Sequence, residues 1–215
     1  METEEILAKI YDAIIELDEA KTLEMVNMVL NEGLDAIEVI SQAMSPAMVE
    51  VGKGFENGKM FLPELLLSAD IYQAAMNILQ PKILEAGGTV EALGKVVIGT
   101  VKGDIHAIGK NLVSTMLRTA GFEVHDLGID VPPLTFVAQA EKFQADVIAL
   151  SALLTTTMES QRVVIEALTV EGLRDRFKVI VGGAPVSRQW AEEIKADGYG
   201  KDAVQAVEVT KQLCS

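Results

Sequence analysis

Residues 95–111 read Lys95-Val96-Val97-Ile98-Gly99-Thr100-Val101-Lys102-Gly103-Asp104-Ile105-His106-Ala107-Ile108-Gly109-Lys110-Asn111. The opening is a short apolar run, the pattern of a strand covered on both faces. A polar, glycine-bearing loop follows, and apolar residues then recur at helical spacing from Ile108 to about Ala120. The alternation continues downstream. Glu123–Leu127, Asp146–Leu150 and Phe177–Val181 read as strands, with a short one near Gly198-Tyr199. Pro133–Phe143, Met158–Leu168, Arg188–Lys195 and Asp202–Leu213 read as helices. Short apolar strands alternating with helices predict parallel pairing through right-handed crossovers, hence a doubly wound α/β sheet. In the flavodoxin-like strand order 2-1-3-4-5, strands one and three are neighbours at the switch point, and ligands bind beyond the carboxyl ends there.

Upstream the texture differs. Apolar residues fall at intervals of three and four at Ile6, Ile10, Ile14 and Leu17, then at Leu23, Val26, Val29 and Leu30. Further sets are Ile37, Ile40, Met44 and Met48, and Leu65, Leu66, Ala69, Tyr72 and Met76. Each set marks one stripe of an amphipathic helix. Asn31-Glu32-Gly33 supplies a stop, Pro63 suits a first helical turn, and Pro46 kinks or divides the third helix. The reading is a bundle of four or five helices over residues 1–86, a linker over 87–94 containing Gly87-Gly88, and the α/β domain over 95–215.

Composition narrows the function classes. The 215 residues amount to roughly one to one-and-a-half domains at ~150 residues each. A 49% hydrophobic content excludes disorder driven by low hydrophobicity. The net charge is −14, with 17 acidic and 5 basic side chains in residues 1–94 against 15 and 13 in residues 95–215. That balance argues against nucleic acid, which demands clustered Lys and Arg. No stretch approaches ~18 uninterrupted apolar residues, so no membrane span is expected. The acidic N-terminus does not resemble a secretory signal, and the one cysteine, Cys214, sits beside the C-terminus. A soluble, cytoplasmic protein is expected.

The strand-end loops hold the chemistry. His106 has the commonest neutral metal-ligating side chain, and Asp104, two residues away, has a carboxylate to orient it. Asp-x-His alone also fits a local cap. No His, Cys or carboxylate cluster nearby completes a tetrahedral metal site, so further ligands would have to come with a cofactor carrying its own metal. His125 falls on a strand and reads as a packed sheet residue. Gly182-Gly183 at a strand end permits close backbone approach or positive φ, though an ordinary turn needs the same residues. Neither Gly-x-Gly-x-x-Gly nor a Gly-Lys-Ser/Thr phosphate loop is present, and nothing resembles a nucleophile elbow.

Three motifs at fixed spacing resemble the vitamin-B12-binding module of methionine synthase and the corrinoid methyl-carrier proteins. Asp104-Ile105-His106-Ala107-Ile108-Gly109 is followed by 41 residues, then Ser151-Ala152-Leu153, then 28 residues and Gly182-Gly183. The segment Phe55–Pro63 is similar to the part of the family's helical domain that covers the cobalt. The likeness extends over about residues 1–210 and looks closest to the methylamine-type corrinoid proteins.

The resemblance implies a cobalamin or related corrinoid, cycling between methyl-Co(III) and Co(I), with His106 as lower axial ligand of cobalt in place of the cofactor's own base. It implies a relay of His106, Asp104 and Thr157, where the family often has serine at the last position. Gly103, Ile105, Ala107, Ile108 and Gly109 would meet the cofactor. Ser151, Leu153, Thr155, Gly182 and Gly183 would line the channel for its displaced nucleotide tail, a Cβ at either glycine narrowing the path. Phe55 and Leu62 would cap the reactive face. The implied function is methyl carriage from a substrate:corrinoid methyltransferase (methylamine, betaine, methanol or methyl-ether donor) to a second methyltransferase using tetrahydrofolate or coenzyme M, with a reductive activase as a third partner. Such a subunit would not turn over alone. Two other readings of a corrinoid site are a sensor module and the small subunit of a B12-dependent mutase.

Overall fold

The computed structural model describes residues 3–86 and 92–215. The chain divides into two compact units, Met1–Glu91 and Ala92–Ser215. Gly87-Gly88, expected in the linker, lies outside the described residues.

The first unit is helical: α1 (Thr3–Ile15), α2 (Glu19–Asn31), α3 (Ala36–Val39), a π turn (Ile40–Met44), α4 (Ser45–Glu56) and α5 (Leu62–Glu85). Ile6, Ile10, Ile14, Val26, Val29, Leu65 and Tyr72 are buried at the intervals expected of core-facing stripes. The third stripe departs from expectation. Met44 and Met48 are buried as expected, but Ile37 is exposed and Ala36, Val39 and Ala43 are buried instead. In the π turn the N–H of Ser45 bonds the carbonyl of Ile40, five residues back. The added residue shifts the helical register. Pro46 lies in the first turn of α4, where its missing N–H costs least.

The second unit is a five-stranded parallel sheet in the order β2-β1-β3-β4-β5. The strands are β1 (Lys95–Thr100), β2 (Glu123–Asp126), β3 (Val147–Ser151), β4 (Lys178–Gly182) and β5 (Gly198–Gly200). The helices are α6 (Ile108–Thr119), α7 (Pro133–Phe143), α8 (Glu159–Val170), α9 (Arg188–Glu193) and α10 (Ala203–Cys214). Val97, Ile148, Leu150, Val179 and Val181 pack with Phe136, Val164, Leu168 and Phe177 in one core. Strand registers place Thr100 beside Ser151 and Ser151 beside Gly182. Beyond β1, β3 and β4, the loops therefore leave from one edge of the sheet. No described helix is long and apolar enough to cross a membrane.

Candidate functional site

Asp104 is the centre of that edge. Gly103, at φ +86°, turns the chain back after β1. Asp104 is fully buried. Its Oδ1 accepts the backbone N–H of His106 at 3.0 Å and pairs with His106 Nδ1 at 2.7 Å. Its Oδ2 accepts the Leu153 N–H at 2.7 Å, the Thr157 hydroxyl at 2.7 Å and, at 3.3 Å, the Leu154 N–H. Burial alone would raise the carboxyl's pKa. Donation by Thr157, by the His106 and Leu153 backbones and by the His106 ring overrides it and holds the group well below the usual carboxylate range.

An ionised Asp104 only accepts, so Nδ1 of His106 carries a proton, and in the neutral ring Nε2 is then the nitrogen with the lone pair. The ring is 45% exposed, and the Thr100 hydroxyl steadies its backbone by donating to the His106 carbonyl at 2.8 Å. A buried carboxylate behind an imidazole fixes the ring's tautomer and orientation, the arrangement by which metal-ligating histidines are held. Among the described residues no group of three His, Cys, Asp or Glu is placed to hold a metal ion. This donor set fits a metal that arrives with most of its ligands. The surroundings fit a broad apolar ligand face: Ile105, Ile108, Leu153 and Leu154 are all exposed large hydrophobics.

The other expected residues are placed less uniformly. Ala107 precedes α6, and Gly109 faces open space. Ser151 ends β3, and Thr155 is exposed in the loop beyond it; neither side chain belongs to the Asp104 hydrogen-bond set. At Gly182 and Gly183 the close approach that two strand-end glycines permit is made by the protein's own backbone. A Cβ on Gly183 would stand 1.8 Å from the Ala152 carbonyl oxygen, at a φ of +126°, and one on Gly182 would stand 3.0 Å from the Gly200 carbonyl oxygen. The protein's own backbone therefore demands small residues there. Phe55 and Leu62 are half-buried at the end of α4 and the start of α5 in the helical unit.

Several supports have no short-range sequence signal. Asp130 accepts the Gly103 N–H at 2.8 Å and pairs with Lys102, and both interactions lower its pKa. Lys110 is buried in the first turn of α6 against Asp126 at the end of β2. Gln161 bridges β3 and β4. Lys110 directly follows the Asp-x-His-x-x-Gly stretch, a position that could have drawn attention to it.

Two family profiles, both described as B12 binding domain, match residues 94–208 and 6–80. Dimethylamine corrinoid protein 2 of Methanosarcina acetivorans is 47% identical over 98% of this chain and 96% of its own. This chain belongs to the B12-binding corrinoid proteins. Trimethylamine corrinoid protein 1 of the same organism is 45% identical to this corrinoid protein, over 95% of this chain and 94% of its own. The methanol:cobalamin methyltransferase complex MtaBC from Methanosarcina barkeri contains a chain that superimposes with a TM-score of 0.88 at 29% identity, covering 99% of this chain and 81% of that one. That neighbour is a methyltransferase complex.

Proposed function

We propose that this corrinoid protein carries a methyl group between two methyltransferases, the first taking it from a methylated amine and the second passing it to tetrahydrofolate or coenzyme M. The observation that carries this reading is the His106 imidazole, its Nδ1 seated on buried Asp104, with no metal-ligating cluster among the described residues. A bound corrinoid supplies the cobalt that accepts and releases the methyl group as a cation equivalent.

The chain's own residues bind and orient. His106 would offer Nε2 to the cobalt, Asp104 holds the Nδ1 proton, and Thr157 steadies the second carboxylate oxygen. Gly103, Ile105, Ala107, Ile108 and Gly109 would meet the corrinoid. Ser151, Leu153, Thr155, Gly182 and Gly183 would border the slot for its nucleotide tail. Relatives named for dimethylamine and trimethylamine are almost equally similar, which supports an amine donor without choosing between the two. A reductive activase is the third partner.

The test is to add the holo-protein to methyltransferases specific for mono-, di- and trimethylamine and follow the cobalt spectrum. One donor methylates it, and the methyl group leaves only when a second methyltransferase and its acceptor are added. Failure with every amine, together with methylation by a non-amine donor, overturns the donor class. A role of Phe55 and Leu62 in capping the reactive face rests on the family resemblance alone. Replacing both by Ala should accelerate photolysis of the cobalt–carbon bond, and an unchanged rate returns them to the bundle core.

A further inference from the structure

One buried side chain ties together the two strands that border the proposed tail slot. Gln161, in the first turn of α8, is fully buried. Its Nε2 donates to the Leu150 carbonyl at 3.0 Å and to the Gly182 carbonyl at 3.1 Å, using both N–H groups on neighbouring strands. Its Oε1 accepts the indole N–H of Trp190 at 2.9 Å, which fixes which end of the amide faces the strands. Trp190, the one tryptophan of the chain, carries the Arg162 guanidinium 4.8 Å from its ring centre. Arg162 is itself paired with Glu159 and Glu193.

The Gly182 carbonyl also accepts the Ala152 N–H at 3.1 Å. The strands are thus fastened where Ser151-Ala152-Leu153 and Gly182-Gly183 leave the sheet. Past the last ladder bond nothing in sheet geometry fixes the spacing of two loops. Here the Gln161 amide, anchored by an indole, adds two bonds at the last rung of the ladder, from which both loops depart, inside a buried network in which every lost partner is costly.

We infer that Gln161 is a positioning residue that sets the separation of the Ser151–Leu153 and Gly182-Gly183 loops, and thereby selects corrinoids that carry a nucleotide tail. The inference rests on the slot reading given under Proposed function.

The experiment titrates apo-protein with cobalamin and with cobinamide, which has the same ring without the tail, following corrin absorbance. Gln161→Met conserves volume and removes all three hydrogen bonds. Trp190→Phe keeps the amide but frees its far end. Wild type should prefer cobalamin. Gln161→Met should lose about tenfold or more in cobalamin affinity through the unmade buried bonds, with cobinamide affinity changed less than about twofold. Trp190→Phe should fall between, and circular dichroism checks that each variant is folded. Equal losses for both ligands, or an unchanged cobalamin preference in folded Gln161→Met, overturn the role of Gln161. If Gln161→Met does not fold, an unchanged preference in Trp190→Phe overturns it. A wild type that binds the two ligands alike overturns the slot reading, and this inference with it.

Discussion

The chain has two histidines, and the sheet treats them in opposite ways. His125 lies within β2, in register with Val97, and its ring stacks on Phe143 with centroids 5.2 Å apart. His106 lies past the end of β1, its Nδ1 on a buried carboxylate and its ring half in solvent. Both are imidazoles on neighbouring segments of one sheet. Position decides their chemistry: a side chain within a strand is committed to packing, whereas one at the carboxyl edge is free to meet a ligand. A bonded Nδ1 then turns an available imidazole into an oriented one.

The comparison breaks most sharply under alanine substitution. His106→Ala should abolish the His-on cobalt spectrum of the methylated holo-protein. His125→Ala should leave that spectrum intact and cost about 0.5–1.5 kcal/mol of stability through the lost ring contact, measured by denaturant unfolding. An identical spectrum in both variants would remove His106 from the cobalt.

Asp104→Asn asks whether orientation matters apart from presence. Asparagine keeps one acceptor oxygen, which serves either the Leu153 and Thr157 side or the His106 side. With the amide nitrogen toward the ring, Nδ1 must accept, and the ring proton moves to Nε2, where it blocks ligation. The His-on form should weaken about 10–100-fold, as expected for an outer-shell partner of a metal-bound histidine. Stability gives a second readout. The Asp104 carboxyl is held below its ordinary pKa, so its contribution is complete above the usual carboxylate range and is lost as pH falls through the depressed value. The unfolding free energies of wild type and variant should therefore converge in acid. A gap independent of pH would show that the carboxylate charge contributes nothing.

How far the sequence was legible follows from the range of each interaction. The placement of Asp104 and His106 at a strand end rests on local periodicity read directly from the chain, whereas the strand order 2-1-3-4-5 follows from the flavodoxin-like class and from no local pattern. Asp104 and Thr157 are 53 residues apart, and only the family resemblance paired them. Gln161 and Trp190 meet across 29 residues, and no residue near either marks the pairing. Ile37 was misread because a hydrophobic count assumes 3.6 residues per turn, and the π turn at Ile40–Met44 breaks that period. A positive φ or close backbone approach at Gly182-Gly183 is legible from two glycines at a strand end, but that the approaching backbone is Ala152 becomes visible only once β3 and β4 are paired.

The smallest effect belongs to Thr157. Its hydroxyl lies 2.7 Å from Asp104 Oδ2 and 2.9 Å from the Leu154 carbonyl, yet it has one proton to give. The ionised carboxylate takes it, because a hydrogen bond to a charged acceptor is stronger than one to a neutral carbonyl. Thr157→Val keeps the branched shape and removes that donor. Asp104 then retains the Leu153 N–H and both His106 contacts, so the His-on form should weaken only about 2–10-fold, the worth of one hydrogen bond. Thr157→Ser keeps the hydroxyl and relaxes the χ1 restriction of the β-branch. It should stay within about twofold of wild type, since the serine hydroxyl can reach the same oxygen. A loss in the Ser variant with none in the Val variant would transfer the role of Thr157 from its hydroxyl to its methyl group, and would leave His106 oriented by Asp104 without the third member of the relay.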